Sequence, residues 1–320
     1  MKIFHENEIR EFVKVNPTAI EIVEEGFTAL AKGIVTLPPI MRIDIPEHNG
    51  EIDVKTAYIK GLDTFAIKIS SGFFNNSLIG LPSLSGMMIL FQTKTGLTES
   101  ILLDNGYLTD VRTAAAGAIA SKYLAKSKVD RVGVIGTGTQ ARYQIEALSH
   151  VRDFKQLTVY GRNEESAKKY ALEMESTLGV KVVIAKNVEE LVKESEIVVT
   201  TTPSITPLIK ADWLHPGLHI TAMGSDAEHK QELEPLIFEK ADIIACDVKS
   251  QCFRLGELHH ALESQIITQH NENILEIGEI ISGIKTGRID ERQITICDLT
   301  GTGVQDTVIA RFAYNQLINK

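Results

Sequence analysis

The chain has 320 residues, 43% hydrophobic and 23% charged, the composition of a folded globular protein long enough for about two domains. A formal net charge of −9 argues against nucleic acid as a partner. The charged N-terminus (Lys2, Glu6, Glu8, Arg10, Glu11) and the absence of any stretch of ~18 apolar residues predict a soluble cytoplasmic protein without membrane contact.

In chain order, Asn16-Pro17 opens an amphipathic helix to Lys32, with Ala19, Ile20, Val23, Phe27 and Leu30 at helical spacing. Short runs at Met41–Ile45, Asp53–Ile59, Phe65–Ser70, Met87–Gln92 and Glu99–Leu103 predict an antiparallel sheet. Thr109–Ala125 reads as an Ala-rich helix with Arg112 in its first turn, and the charged break after it marks a boundary between residues 1–126 and 127–303. Beyond it, Arg131–Ile135, Leu157–Tyr160, Val180–Ala185, Ile197–Thr201, Leu218–Ala222, Ile243–Cys246 and Ile294–Cys297 alternate with helical segments, so a doubly wound parallel sheet is expected. A last helix, 304–320, is expected to cross back onto the first domain. Cys246, Cys252 and Cys297 have neither disulfide nor zinc spacing, and no metal is expected.

The most specific local signal is Gly136-Thr137-Gly138-Thr139-Gln140-Ala141, which runs from an apolar strand into a helix start. Gly136 permits the tight turn, Gly138 admits a pyrophosphate to the backbone, and Ala141 keeps the helix close to the sheet. A dinucleotide is the expected ligand. The second strand ends in Tyr160-Gly161-Arg162-Asn163, with no acid for a ribose 2′-hydroxyl, so Arg162 favours NADP over NAD while either is admitted. In the other domain Arg42, Lys55, Lys68 and Arg112 lie in or beside the sheet. Taken singly, Lys68 among apolar residues reads as a solvent-facing strand position and Arg112 near a helix N-terminus as an ion pair with Asp110; beside a dinucleotide domain without other catalytic apparatus, carboxylate binding is the better reading. His259-His260 with Glu257 reads as a surface helix rather than a metal site, adjacent histidines being expected to point apart.

Leu108–Ala115, Gly136–Ala141 and Met223-Gly224-Ser225-Asp226, in that order, resemble the ornithine cyclodeaminase/μ-crystallin family over almost the whole chain. The resemblance implies a homodimer of α/β subunits, each with a Rossmann domain and a smaller α+β substrate-binding and dimerisation domain. It implies hydride transfer at an α-amino or α-imino carbon. By the same resemblance Arg42, Lys68 and Arg112 match the carboxylate-binding cations, Thr113 the position beside the nicotinamide amide, and Asp226 the acid facing substrate. Thr201, Met223, Ser225 and Gly301 fall on segments bordering the cofactor.

Ornithine-cyclising members resemble one another in a glutamate thirteen residues before the matching lysine, where this chain has Lys55; a lysine repels the ammonium that a carboxylate would hold. The reading is therefore NAD(P)H-dependent reduction of a small α-imino acid, with iminosuccinate as the dicarboxylate that a fourth cation would suit. Asp226, Lys68 and Lys55 are the catalytic candidates, Lys55 as proton donor or carboxylate ligand. Alanine dehydrogenation, Δ1-pyrroline-2-carboxylate reduction, the disfavoured ornithine cyclodeamination and non-catalytic NADP-dependent ligand binding are the alternatives.

Overall fold

The computed structural model describes residues 1–319, Ser77 by its backbone only; Lys320, the last residue of the expected C-terminal helix, lies outside the described residues. The chain divides into two units, residues 1–112 with the segment from Thr302 onward, and Thr113–Gly301. The sequence places this boundary at Lys126; the structure places it inside the helix. Beyond Arg112 the helix packs on the second unit, where Gln144 Nε2 donates to the Thr113 carbonyl at 2.9 Å and a Cβ on Gly117 would sit 1.8 Å from Gln144 Oε1.

In the first unit, β1 (Lys2–His5) and α1 (Glu6–Phe12) precede α2 (Pro17–Ala31). Periodicity had placed the first element at α2. The four-residue strand buries only Phe4 and the helix is barely two turns, too short for a period to show. The start of α2 follows local chemistry, with Pro17 in the first turn and the Asn16 side chain accepting from the Ala19 N–H at 2.9 Å. Next come β2 (Val35–Thr36), β3 (Met41–Ile45), β4 (Gly50–Ile59), β5 (Thr64–Phe73), β6 (Leu84–Gln92), β7 (Thr98–Leu103) and the start of α3 (Tyr107–Leu124). The sheet runs β1-β7-β6-β5-β4, with β2 and β3 both on β4; β1 joins β7 in parallel and every other pairing is antiparallel.

Alternation gives β4 and β5 one buried face, carrying Lys55 and Ala57 on β4 and Ala66 and Lys68 on β5. The C-terminal helix, Gly303–Ile318, packs on that face: Thr307 Oγ1 donates to the Ala57 carbonyl at 2.8 Å. Its first turn approaches so closely that a Cβ on Gly303 would lie 2.2 Å from the Thr56 carbonyl oxygen.

The second unit comprises the rest of α3, then β8 (Arg131–Ile135), α4 (Thr139–Ser149), β9 (Gln156–Tyr160), α5 (Glu164–Leu178), β10 (Lys181–Ile184), α6 (Val188–Glu194), β11 (Ile197–Thr200), β12 (Ile205–Ile209), β13 (His219–Ala222), β14 (Gln231–Leu233), α7 (Ile237–Lys240), β15 (Ile243–Cys246), α8 (Lys249–Cys252), α9 (Gly256–Glu263), β16 (Ile274–Glu276), α10 (Ile277–Ile281) and β17 (Thr295–Asp298). Eight strands form a parallel sheet in the order β10-β9-β8-β11-β13-β17-β15-β16, the Rossmann arrangement the alternation predicted. β12 and β14 pair separately, and no sequence pattern had indicated them. Val132, Val134, Ile145 and Tyr170 pack on one face of the main sheet, and Ile135, Leu191, Ile220 and Ile296 on the other. Among the described residues no helix is long and apolar enough to cross a membrane.

Candidate active site

In the second unit the strand order reverses between β8 and β11, and a cleft of about 310 Å³ opens there at the strands' C-terminal ends. Gly136, Thr137, Gly138, Arg162 and Thr201 of the expected cofactor residues line it; Thr113, Thr139, Gln140, Ala141, Met223, Ser225 and Gly301 are not in its lining. Gly136 has φ +121°, and a Cβ there would meet Thr201 Oγ1 at 2.4 Å, whereas the space beside Gly138 is open. The N-cap of α4, Gly138, offers no side-chain acceptor, so the first turn keeps its N–H groups and positive dipole for an anion. Arg142 braces this turn, with Nη1 donating to the Thr137 carbonyl at 2.7 Å and Nη2 pairing with Glu173 at 2.8 Å. This tight turn, open glycine and uncapped helix end fit a dinucleotide pyrophosphate. Asn163 is occupied as the cap of α5, so Arg162 is the one charged residue in the cleft lining among the described residues.

Two interior carboxylates absent from the sequence-based candidates shape the neighbouring loops. Glu232 is fully buried and accepts from Thr200 Oγ1 (2.5 Å), Thr202 N (2.6 Å), Thr202 Oγ1 (2.7 Å) and Gly224 N (2.9 Å), tying the loop after β11 to the one after β13. Burial pushes its carboxyl up against the pull of these donors. Asp247 accepts from the N–H groups of Thr300 and Gly301 at 3.0 and 2.7 Å and so fixes the Gly-containing loop, where Gly301 has φ +78°. Two hydroxyl-bearing residues near an apolar strand end were the only local signal for Glu232, and nothing local marked Asp247.

Asp226 is half exposed and pairs with Lys230 Nζ at 2.6 Å. The Ser225 hydroxyl is spent on the Lys230 carbonyl at 2.6 Å, closing the turn beneath Asp226. His260 Nε2 lies 2.7 Å from the same carbonyl. This helix does not lie wholly on the surface as its sequence suggests: Glu257 is interior, accepting from Glu232 N and Leu233 N. The two histidine rings meet in a T-shaped arrangement, centroids 5.2 Å apart, instead of pointing apart. Donor atoms of His259, His260 and Glu263 lie within 4.8 Å of one another, though His260 already spends Nε2 on the Lys230 carbonyl.

In the first unit, register sets Lys55 directly opposite Lys68, and both are buried. Arg112 lies beyond the first turn of α3, because the helix begins at Tyr107. It pairs not with Asp110 but with the C-terminal helix, Nε to Asp306 Oδ1 at 2.9 Å and Nη1 to Gln305 Oε1 at 2.9 Å. Lys68 Nζ lies 3.1 Å from Asp306 Oδ2. Burial, then the Arg112 charge, draws the Lys68 ammonium down to about 7 against the attraction of Asp306, with Lys55 adding further repulsion. For Asp306 burial acts upward, but Lys68, Arg112 and Lys55 together hold the carboxyl below its usual range. Arg42 stands opposite Asp53 on the same sheet face, yet its guanidinium is engaged by Asp44 (2.8 Å), Glu51 and Asp53 (4.0 Å) and is not part of the Asp306 group. Asp306 is not among the residues that motif and spacing single out, although an acid amid Val304, Val308 and Ile309 on one helix calls for a buried cation.

The family model described as ornithine cyclodeaminase/mu-crystallin matches residues 1–320. The chain is 48% identical to an uncharacterized cyclodeaminase of Sinorhizobium fredii, covering 99% of this chain and 96% of that one. It is 34% identical to the alanine dehydrogenase of Archaeoglobus fulgidus, over 99% and 95%. The solved Δ1-pyrroline-2-carboxylate reductase of Thermococcus litoralis, in complex with NADH and L-proline, superimposes with a TM-score of 0.94 at 29% identity, covering 100% and 98% of the chains.

Proposed function

The chain belongs to the ornithine cyclodeaminase/mu-crystallin family and is an NAD(P)-dependent oxidoreductase of amino and imino acids; on that premise we propose that it reduces a cyclic α-imino acid of the Δ1-pyrroline-2-carboxylate type to the amino acid. The observation that carries this reading is the group of Lys55, Lys68 and Arg112 around the single carboxylate Asp306. Three cations against one anion leave a formal excess of positive charge, which a substrate carboxylate offsets. The likeness to the T. litoralis reductase supports the same assignment.

The turn at Gly136 and Gly138 and the start of α4 would hold a nicotinamide dinucleotide, which would supply the hydride for a C=N carbon. Arg112 and Lys68 hold the substrate carboxylate, and Lys55, directly opposite Lys68, donates the proton that the imine nitrogen takes up. Lys55 in place of an acid speaks against ornithine cyclodeamination. A second reading, iminosuccinate reduction, draws on Lys55 as a contact for a second acid, with Arg42 next along the face.

Purified protein is tested by nicotinamide absorbance with Δ1-pyrroline-2-carboxylate, pyruvate plus ammonia, and iminosuccinate generated in situ. Turnover of the cyclic imine is expected; turnover confined to iminosuccinate installs the second reading, and silence on all three leaves a ligand-binding protein. NADPH is expected to serve through Arg162, so Arg162→Ala should raise KM for NADPH about tenfold and leave that for NADH unchanged. A homodimer is proposed through the exposed apolar residues Met41, Ile43, Leu78, Ile79, Leu81 and Leu84, and sedimentation at dimer mass is the check.

A further inference from the structure

Asp306 is the one carboxylate that touches both Lys68 and Arg112 among the described residues, and it is itself fully buried. Several features commit it to this task. Its oxygens divide the work, Oδ1 to Arg112 Nε and Oδ2 to Lys68 Nζ. Gln305, its neighbour in the helix, takes Arg112 Nη1, so the guanidinium is held at Nε and Nη1 while Nη2 has no partner among the described residues. The glycine at Gly303 lets the helix settle against β4 closely enough to bring Asp306 between the two cations. Near a helix N-terminus the carboxylate also gains from the dipole.

We propose that Asp306 is a positioning residue for the substrate carboxylate: it fixes the spacing of Lys68 and Arg112 and turns the remaining Arg112 N–H groups toward the ligand. This rests on the reading of Lys68 and Arg112 as carboxylate ligands. The groups that bear on Lys68 are Lys55 on β4, Arg112 on α3, Asp306 on the C-terminal helix and Asp104 before α3. Of these, Asp306 is the anion in contact, and removing its charge leaves repulsion and burial in command. Lys68 then loses its proton at a lower pH, and carboxylate binding fails earlier on the alkaline side.

The experiment compares wild type, Asp306→Asn and Asp306→Glu. Pyrrole-2-carboxylate is the inert carboxylate probe in calorimetry with NADH present, NADH affinity is read by fluorescence, and kcat/KM for Δ1-pyrroline-2-carboxylate is followed across pH. The Asn variant is expected to bind the probe at least about tenfold more weakly, to keep NADH affinity within about twofold, and to move the alkaline limb to lower pH. The Glu variant, which restores the charge one methylene away, is expected to recover the limb but only part of the affinity. Probe affinity and pH profile both unchanged in Asp306→Asn overturn the inference alone. A Glu variant as weak and as shifted as Asn, or a Glu variant indistinguishable from wild type should Asn not fold, also overturns it. Wild-type protein that binds NADH but no carboxylate overturns the functional reading as well.

Discussion

Replacing Glu232 by Gln tests how the cofactor loops are held. The carboxylate accepts four hydrogen bonds, two on each oxygen: Thr202 N and Oγ1 on Oε1, Thr200 Oγ1 and Gly224 N on Oε2. An amide keeps one oxygen and puts an NH₂ group where the other stood. A threonine hydroxyl can turn and accept from it, but a backbone N–H cannot, so whichever way the amide lies one buried N–H faces another donor. An unsatisfied buried donor costs about 1–3 kcal/mol, and loss of the charge from the remaining bonds adds to it, so about 2–4 kcal/mol of destabilisation is expected. Gly224 has no slack to absorb the change, since a Cβ there would already lie 2.2 Å from the Thr202 carbonyl oxygen. The loop so loosened includes Thr201–Ser204 of the cleft wall, and NADH affinity should fall about tenfold. Urea unfolding and NADH fluorescence titration measure the two effects. An unfolding midpoint worth less than about 0.5 kcal/mol of change, with NADH affinity intact, would refute the argument. That is the result for a carboxyl already protonated, which glutamine mimics.

Gly136→Ala should weaken NADH binding by about tenfold or more and lower the melting temperature, because both the positive φ and the 2.4 Å approach to Thr201 Oγ1 exclude a methyl; calorimetric melting with and without NADH checks it. Stability should depend on pH through two opposed groups. Asp298, raised by burial and by nearby Asp247 and Glu232 to about 8, keeps its proton in the folded state after the unfolded chain has lost it. Stability therefore falls from about pH 4 to about pH 8, at up to ~1.4 kcal/mol per pH unit. Lys68, depressed to about 7, acts the other way: between about pH 7 and 10.5 the unfolded chain holds the extra proton, and stability rises with pH. Urea midpoints across pH should show a shallower acid-side fall in Asp298→Asn, and an unchanged slope would remove Asp298 as the cause.

What was legible in the chain is what short-range chemistry decides. Asn16-Pro17 starts a helix wherever it is placed, alternation makes β4 and β5 two-faced, and the steric demands of Gly136, Gly138 and Ala141 on a strand-to-helix turn are met within six residues. The parallel sheet followed from the alternation of strands with helices beyond residue 127. The cations at 55, 68 and 112 were visible as charges in apolar company, but their partner was not. Arg112 had Asp110 close in sequence, yet the fold delivers Asp306 from 194 positions away, and Lys68, which suited a wet strand face equally well, is buried by the same helix. Arg42 looked equivalent to the other cations until β3 set it among Asp44, Glu51 and Asp53. The boundary at Lys126 rested on a real charged break, but packing around Gly117 and Gln144 moved the division into α3. Local sequence determines backbone conformation and which residues need partners, since those energies act between near neighbours. Only the tertiary structure decides which partner arrives, because a buried charge is satisfied by whatever the packing brings within about 3 Å of it, at any distance along the chain.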